Sequence, residues 1–134
     1  MDPAPTRRVL IVDDDPSIRR LLVAFMRCKG FQLLEARNGR DALAVMRAGE
    51  ADLVVMDLMM PEVSGWDVLR QREKEPALRR IPLVVITASD IRQIAADVAG
   101  KHVAAVIGKP FDLDSFLSTV MTCLGGNMTA PVAA

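Results

Sequence analysis

Residues 53–65 read LVVMDLMMPEVSG, a short apolar run that ends abruptly at an aspartate, Asp57. Because helical spacing separates it from similar runs, we predict alternating strands and helices whose strands pair in parallel. All strand ends then lie along one edge of the sheet, where ligands bind in such folds. The three other runs that end in a polar residue are Arg7 to Val12 before Asp13 and Asp14, Leu83 to Ile86 before Thr87, and Val103 to Gly108 before Lys109.

Five strands and five helices alternate in the predicted fold, and Phe31 to Ala36 supplies the remaining strand. With right-handed crossovers, we predict an α/β fold with a doubly wound, five-stranded parallel sheet in the flavodoxin-like order 2-1-3-4-5. The first and third strands are then neighbours, which brings Asp13 and Asp14 beside Asp57. Ordinary cap and stop residues mark the helix boundaries, and these are Asp15 with Pro16, Gly30, Ser64 with Asp67, Pro76 and Asp112.

Composition indicates one domain. The chain has 134 residues, of which 51% are hydrophobic, and this suits a sheet covered on both faces. Lysine plus arginine and aspartate plus glutamate number 17 each, so no net charge favours direct binding to nucleic acid or to a membrane. No apolar stretch approaches the length of a membrane span, and we predict a cytoplasmic protein. Three basic pairs are interpreted as solvated surface: Arg7–Arg8, Arg19–Arg20 and Arg79–Arg80.

The two cysteines and the single histidine carry no metal-ligand spacing. Cys28 and Cys123 fall near the ends of two predicted helices, and we interpret them as reduced, buried thiols. A redox pair is the alternative if both helices cover the same face of the sheet. His102 is interpreted as a surface residue.

The acidic residues at the sheet edge suggest a metal site. Asp13, Asp14 and Asp15 alone are compatible with an ordinary acidic turn, but Asp57 across the strand gap changes that interpretation. Carboxylates about 5 Å apart repel by roughly 3 kcal/mol per pair at an effective dielectric of about 20. We therefore expect a bound cation to stabilise the cluster. Hard oxygen ligands without sulfur or imidazole favour Mg²⁺. An aspartate can also accept a phosphoryl group, and Asp57, at the end of the central strand, is our candidate.

The motifs together resemble a known family. They are Val-Asp-Asp at 12–14, the Asp57–Gly65 stretch, Thr87-Ala88 and Lys109-Pro110-Phe111, in order and properly spaced. Over essentially all of residues 7–124 the chain resembles the receiver domain of bacterial two-component response regulators, of the stand-alone type found in chemotaxis regulators. Residues 1–6 and 125–134 are predicted to be flexible termini.

The resemblance implies a role for each site residue. Asp57 would accept a phosphoryl group from a histidine kinase or a histidine phosphotransfer protein and then switch the binding of an unidentified downstream protein. Asp13, Asp14 and Asp57 would hold Mg²⁺ together with the main-chain carbonyl of Met59. Thr87 would be the switch hydroxyl and Lys109 the phosphate-binding base, followed by a cis peptide bond to Pro110.

The sequence departs from the family pattern at several positions. Val106 stands where the family usually has an aromatic residue, so we expect the signal to leave by another element, such as the loop after Thr87. Met59 and Ser89 would border the phosphoryl group, and neither suits the positioning of an attacking water, so we expect slow self-dephosphorylation. Trp66 is expected to be a partly exposed ring that reports Mg²⁺ binding by fluorescence.

Two other functions remain open from the sequence. The Asp13–Asp15 run also fits the nucleophile loop of haloacid-dehalogenase-type phosphatases, although the acidic residues and the extra chain that such enzymes need are lacking here. A receiver that is never phosphorylated and serves as a scaffold is the third possibility. We predict a phosphorylation-driven binding switch and not an enzyme.

Overall fold

The computed structural model describes residues 6–125 and 132–133. A parallel sheet in the order β2-β1-β3-β4-β5-β6 forms its centre, which confirms the predicted order of the first five strands. The strands are β1 (Arg8–Val12), β2 (Gln32–Ala36), β3 (Leu53–Asp57), β4 (Leu83–Thr87), β5 (Ala105–Gly108) and β6 (Val132–Ala133). The helices are α1 (Pro16–Cys28), α2 (Gly39–Arg47), α3 (Gly65–Lys74), α4 (Pro76–Arg79), α5 (Ile91–Asp97) and α6 (Leu113–Leu124).

Two apolar layers cover the sheet, because successive strand residues point to opposite faces. On β1, Leu10 and Val12 face one layer, which α2, α3, α4 and α5 cover, and Val9 and Ile11 face the other, which α1 and α6 cover. Every residue of β3 is buried. The central strand therefore holds Asp57 on a rigid support.

The caps behave largely as predicted. The Asp15 carboxylate accepts from the Ser17 amide at the start of α1, and Ser64 forms a reciprocal capping box at the start of α3. Gly30 has a φ of 93° just after α1, a conformation that glycine adopts without a side-chain penalty. Hydrogen bonds from cap residues thus set where α1 and α3 begin, and a glycine follows the end of α1.

Residues 6–125 contain six helices, not the five predicted. Glu75 lies extended because the residue before a proline disfavours the helical region, so α3 ends at Lys74. Pro76 then begins a separate one-turn helix, at a position where its missing amide hydrogen costs nothing. At β5 the prediction began two residues too early, since His102 adopts a φ of 59° and turns the chain just before the strand.

Cys123 is buried as predicted, but Cys28 is exposed, so the prediction of a buried thiol there is wrong. The expected flexible termini lie mostly outside the described residues. Val132–Ala133, within the expected C-terminal tail, pair in parallel with Val106 and Ile107 of β5. Among the described residues, no helix combines the length and the hydropathy that a bilayer crossing needs.

Candidate functional site

The polar residues that end the strands meet at one edge of the sheet. Asp57 and Thr87 are the last residues of β3 and β4, while Asp13 and Lys109 directly follow β1 and β5. The strands are parallel and in register, with Thr87 paired to Gly108, so their carboxyl ends coincide. The predicted convergence is confirmed for the side chains of Asp13, Asp14, Asp57 and Lys109.

Lys109 lies between two carboxylates. Its Nζ is 2.9 Å from Oδ2 of Asp57 and 3.2 Å from Oδ2 of Asp13. Burial alone would lower the pKa of Lys109, but the hydrogen bond to Asp57 and the charge of Asp13 outweigh burial and raise that pKa. The ammonium is therefore charged at neutral pH and is already aimed at Asp57. The Lys109–Pro110 peptide bond is cis, as the family resemblance implies.

Asp13 is fully buried at the start of the β1–α1 turn. Burial raises the pKa of its carboxyl group, although the hydrogen bond from the Asp15 amide and the nearby Lys109 act in the opposite direction. Oδ1 of Asp13 accepts that amide at 2.9 Å. A second cation beside Asp13 would favour the ionised carboxylate.

Three carboxylates form a cluster that suits a divalent cation. Oxygen atoms of Asp13, Asp14 and Asp57 all lie within 4.8 Å of one another. Three carboxylates opposed by the single ammonium of Lys109 leave an excess of negative charge, and all the donors are hard oxygens. Asp14 is exposed, so the cluster is open on one side, as Mg²⁺ requires when it keeps several waters. The residues present therefore fit the predicted Mg²⁺ site.

The loop after β3 is fixed closely against Asp57. The Met59 amide donates to Oδ1 of Asp57 at 3.0 Å, and the Gly65 amide donates to the Leu58 carbonyl at 3.0 Å. A Cβ atom on Gly65 would lie only 2.6 Å from Cα of Leu58 and 2.7 Å from the Asp57 carbonyl oxygen. Only glycine permits α3 to begin this close to the strand end. The Met59 carbonyl as a metal ligand stays a prediction.

The Thr87 side chain is fully buried and engaged within its own loop. Its Oγ1 accepts a hydrogen bond from the Ser89 amide at 3.0 Å, and its carbonyl accepts from the Lys109 amide at 2.7 Å. Among the described residues, its hydroxyl makes no hydrogen bond to Asp57 or Lys109. The switch role of this hydroxyl therefore stays a prediction.

Arg19 supports the site, although the sequence did not predict this role. Arg19 was interpreted as solvated surface, yet its side chain is only 17% exposed. Its Nη1 donates to the Asp13 carbonyl at 2.7 Å, and its Nε donates to Glu35 at 3.0 Å. The only signal in the sequence is that Arg19 lies one helical turn after the Asp15 cap, which turns the arginine back toward the strand end.

Residues 9–121 match the sequence profile of the response regulator receiver domain. Protein PilH of Pseudomonas aeruginosa is 36% identical over 121 residues, which cover 89% of this chain and 98% of PilH. The polar-differentiation response regulator DivK of Brucella ovis is 30% identical over 120 residues, covering 90% of this chain and 98% of DivK.

Solved structures share the architecture. The chemotaxis response regulator CheY4 of Vibrio cholerae superposes with a TM-score of 0.80 at 23% identity, covering 87% of this chain and 98% of that one. That likeness concerns the fold alone. The receiver domain of a signal transduction histidine kinase from Syntrophus aciditrophicus superposes with a TM-score of 0.80 at 30% identity and covers 90% of this chain and 92% of its own.

Proposed function

This chain belongs to the response regulator receiver domain family, and we propose that it acts as a single-domain response regulator phosphorylated on Asp57. One contact carries this proposal: Nζ of Lys109 lies 2.9 Å from Oδ2 of Asp57, within the carboxylate cluster that Asp13 completes. An ammonium held beside a nucleophilic carboxylate is suited to receive the oxygens of an incoming phosphoryl group.

The proposed reaction is a phosphoryl transfer from a phosphohistidine. A carboxylate oxygen of Asp57 attacks phosphorus, a P–O bond forms, and the P–N bond to the histidine of the donor breaks. The imidazole leaves with the bonding electron pair and takes up a proton. Lys109 then donates a hydrogen bond to one phosphoryl oxygen. The Thr87 hydroxyl gives up the hydrogen bond that it accepts from the Ser89 amide and donates to a second phosphoryl oxygen.

Mg²⁺ would be held by Asp13, Asp14 and Asp57 together with the main-chain carbonyl of Met59. When bound, it supplies neutralising charge between the nucleophile and the phosphoryl group. Asp13 contributes a buried carboxylate in a turn held by the Asp15 amide, and Asp14 contributes an exposed carboxylate at the open side. The protein accepts one phosphoryl group and is a signalling component, not a turnover enzyme.

The proposed partners are proteins. A histidine kinase or a histidine phosphotransfer protein supplies the phosphoryl group, and a downstream protein reads the phosphorylated state. The balanced charge of the chain gives no support to direct binding of nucleic acid or of a membrane.

Phosphorylation with a small donor tests this function. The protein is incubated with Mg²⁺ and acetyl phosphate, and an acid-stable, base-labile adduct is measured by mass spectrometry. We expect the adduct in the wild type, its loss in Asp57→Asn and its loss when a chelator removes Mg²⁺. The matched control is Asp15→Asn, which alters the same acidic run but keeps an equally good helix cap.

The same assay separates the alternatives. Loss in Asp13→Asn with an adduct still formed in Asp57→Asn would indicate a phosphatase-type nucleophile at Asp13. Absence of an adduct in every form would indicate a scaffold. Either result would overturn the proposed phosphorylation of Asp57.

A further inference from the structure

A groove with an apolar floor lies along α3, on the side of the molecule that faces the turn before β5. Its volume is about 390 Å³, within the range of roughly 300–1,000 Å³ that ligand pockets occupy. Trp66 and Leu69 form the floor, and both pack against the core. The walls are charged, and they consist of Arg70, Glu73, Lys74 and Lys101.

Arg72 holds the two sides of this groove together. From α3, its guanidinium donates to the carbonyl of Lys101 at 3.2 Å and to the carbonyl of His102 at 2.8 Å. The His102 ring also contacts the Glu73 carboxylate at 3.1 Å. The turn that carries Lys101 is thereby fixed to α3, and the groove exists without a ligand to form it.

The walls of the groove hold three cationic side chains and one carboxylate, so positive charge is in excess. Arg70 pairs with Asp67, and the Glu73 carboxylate contacts the ring of His102. Lys74 and Lys101 form no ion pair within residues 6–125 and 132–133. A half-buried indole flanked by two ammonium groups matches a segment that has an apolar anchor and acidic neighbours.

The exposed surface around β5 is less suited to binding a partner. Val106, at the position of the missing aromatic, is 1% exposed, and its strand is paired on both sides by β4 and β6. The edge of β5 therefore presents no free strand there. By contrast, Trp66 is the second residue of α3, directly after the Gly65 contact with Leu58 at the phosphorylation loop.

We propose that the groove formed by Trp66, Leu69, Lys74 and Lys101 is the docking surface for an acidic peptide segment with an aliphatic or aromatic anchor. The anchor covers Trp66 and Leu69, and flanking carboxylates lie near the two lysines. The assignment of this segment to the downstream protein rests on the proposed function. Binding itself does not require phosphorylation, so the two can fail independently.

The full chain is titrated with defined synthetic peptides, and the emission of Trp66, the only tryptophan, reports occupancy of the groove. The first probe is a dodecapeptide of aspartate and glutamate with a central Leu-Phe pair. A second replaces Leu-Phe by Gly-Ser, and a third keeps Leu-Phe but replaces the acidic residues by lysine. We expect a blue shift with the first probe only, and weaker binding as salt rises.

Charge reversal localises the site. The double variant Lys74→Glu with Lys101→Glu is expected to bind the first probe with an affinity at least about fivefold lower, because two attractive charge pairs become repulsive. The matched control is Arg20→Glu, an exposed arginine on α1, which is expected to leave binding unchanged. Circular dichroism and thermal unfolding verify that all variants remain folded.

Several results would overturn the docking surface. They are equal binding of the anchor-free or the lysine peptide, no binding of the first probe, or an equal effect of the α1 control. Self-association of the wild type that the double reversal abolishes would assign the groove to a second copy instead. If an adduct forms on Asp57 but the peptide fails to bind, only this inference falls; if the peptide binds but no adduct forms, only the proposed function falls.

Discussion

Arg19 donates a hydrogen bond from its guanidinium to the main-chain carbonyl of Asp13, with a separation of 2.7 Å. Glu35 at the end of the neighbouring strand holds the same guanidinium at 3.0 Å. The carboxylate of Asp13 in turn lies 3.2 Å from Lys109. Arg19 therefore positions the turn that carries Asp13 without taking part in the acidic cluster itself.

Arg19→Gln is expected to weaken Mg²⁺ binding by about tenfold, the lower end of the effect seen for residues that orient metal ligands. The shorter amide cannot bridge Asp13 and Glu35, so the turn becomes free to move. Calorimetric titration with Mg²⁺ measures the affinity, and Arg20→Gln on the neighbouring exposed residue is the control. An equal loss in both variants would show that general charge, and not the Asp13 contact, is responsible.

Met59 should lengthen the life of the phosphoryl group. Its side chain is 66% exposed beside Asp57, and a thioether has no hydrogen with which to orient an attacking water. Met59→Asn introduces an amide that can do so, and we expect the phosphoryl half-life to shorten by about tenfold, below the roughly 10²–10⁴-fold of a well-placed catalytic group.

Decay of the base-labile adduct after removal of the donor measures that half-life. Met121→Asn, at a methionine that is 54% exposed on α6, is the matched control. A wild-type lifetime of only seconds that Met59→Asn leaves unchanged would contradict the expected role of this methionine.

Much of the fold could be predicted because its signals are local or periodic. The strands are short apolar runs, and each long helix has a cap residue or a proline at its start, as Asp15, Ser64 and Asp112 illustrate. Parallel pairing then places the strand ends together by topology alone. The convergence of Asp13, Asp57 and Lys109 could be expected for the same reason, before any distance was known.

Contacts of single side chains with other segments were not predicted, because the periodic patterns that identify strands and helices do not specify them. Arg19 and Arg72 look like ordinary helix-surface arginines, yet each donates to main-chain carbonyls that lie in other segments. The short strand β6 was missed as well, since a two-residue pairing has no periodicity. Cys28 was misplaced because the helical pattern near its end does not fix which way the last turn faces.

Arg72 is a fully buried arginine that has no carboxylate partner in the part of the chain that the structure describes. Burial lowers its pKa to about 10, so it is still charged at neutral pH. All of its partners are main-chain oxygens at 2.8–3.3 Å, and they belong to Leu78, Arg79, Ile81, Lys101 and His102. Five donors in a planar fork satisfy five carbonyls that connect α3, the α4 region and the turn before β5.

Arg72→Lys is expected to destabilise the fold by about 3 kcal/mol. An ammonium has three donors, so at least two of the five carbonyls lose their bond to this side chain, at about 1–3 kcal/mol for each. Urea unfolding followed by Trp66 fluorescence measures the free energy of unfolding, and Arg80→Lys at an exposed position is the control. A lysine variant as stable as the wild type would show that these carbonyls find other donors or water.

Asp52 and Arg8 should make part of the stability depend on pH. The Asp52 carboxylate accepts from the Arg8 amide at 2.7 Å and pairs with the Arg8 guanidinium at 3.3 Å. Burial by itself would raise the pKa of Asp52, but the hydrogen bonds from Arg8 outweigh burial and hold that pKa below its ordinary value. A carboxyl group with a lowered folded-state pKa stabilises the fold above its unfolded-state pKa of about 3.9, and this contribution is lost as the pH falls through the folded-state value.

Asp52→Asn is therefore expected to lower the free energy of unfolding by about 1 kcal/mol at neutral pH, because the pair is partly solvent-screened and the amide still accepts one bond. The difference from the wild type should narrow progressively below about pH 4, where Asp52 of the wild type becomes protonated. Urea unfolding of both proteins across this range measures the difference, and Glu50→Gln, at an exposed position nearby, should show no such trend. If the difference in the free energy of unfolding stayed constant at all pH values below 4, Asp52 would stabilise the fold by its packing and not by its charge.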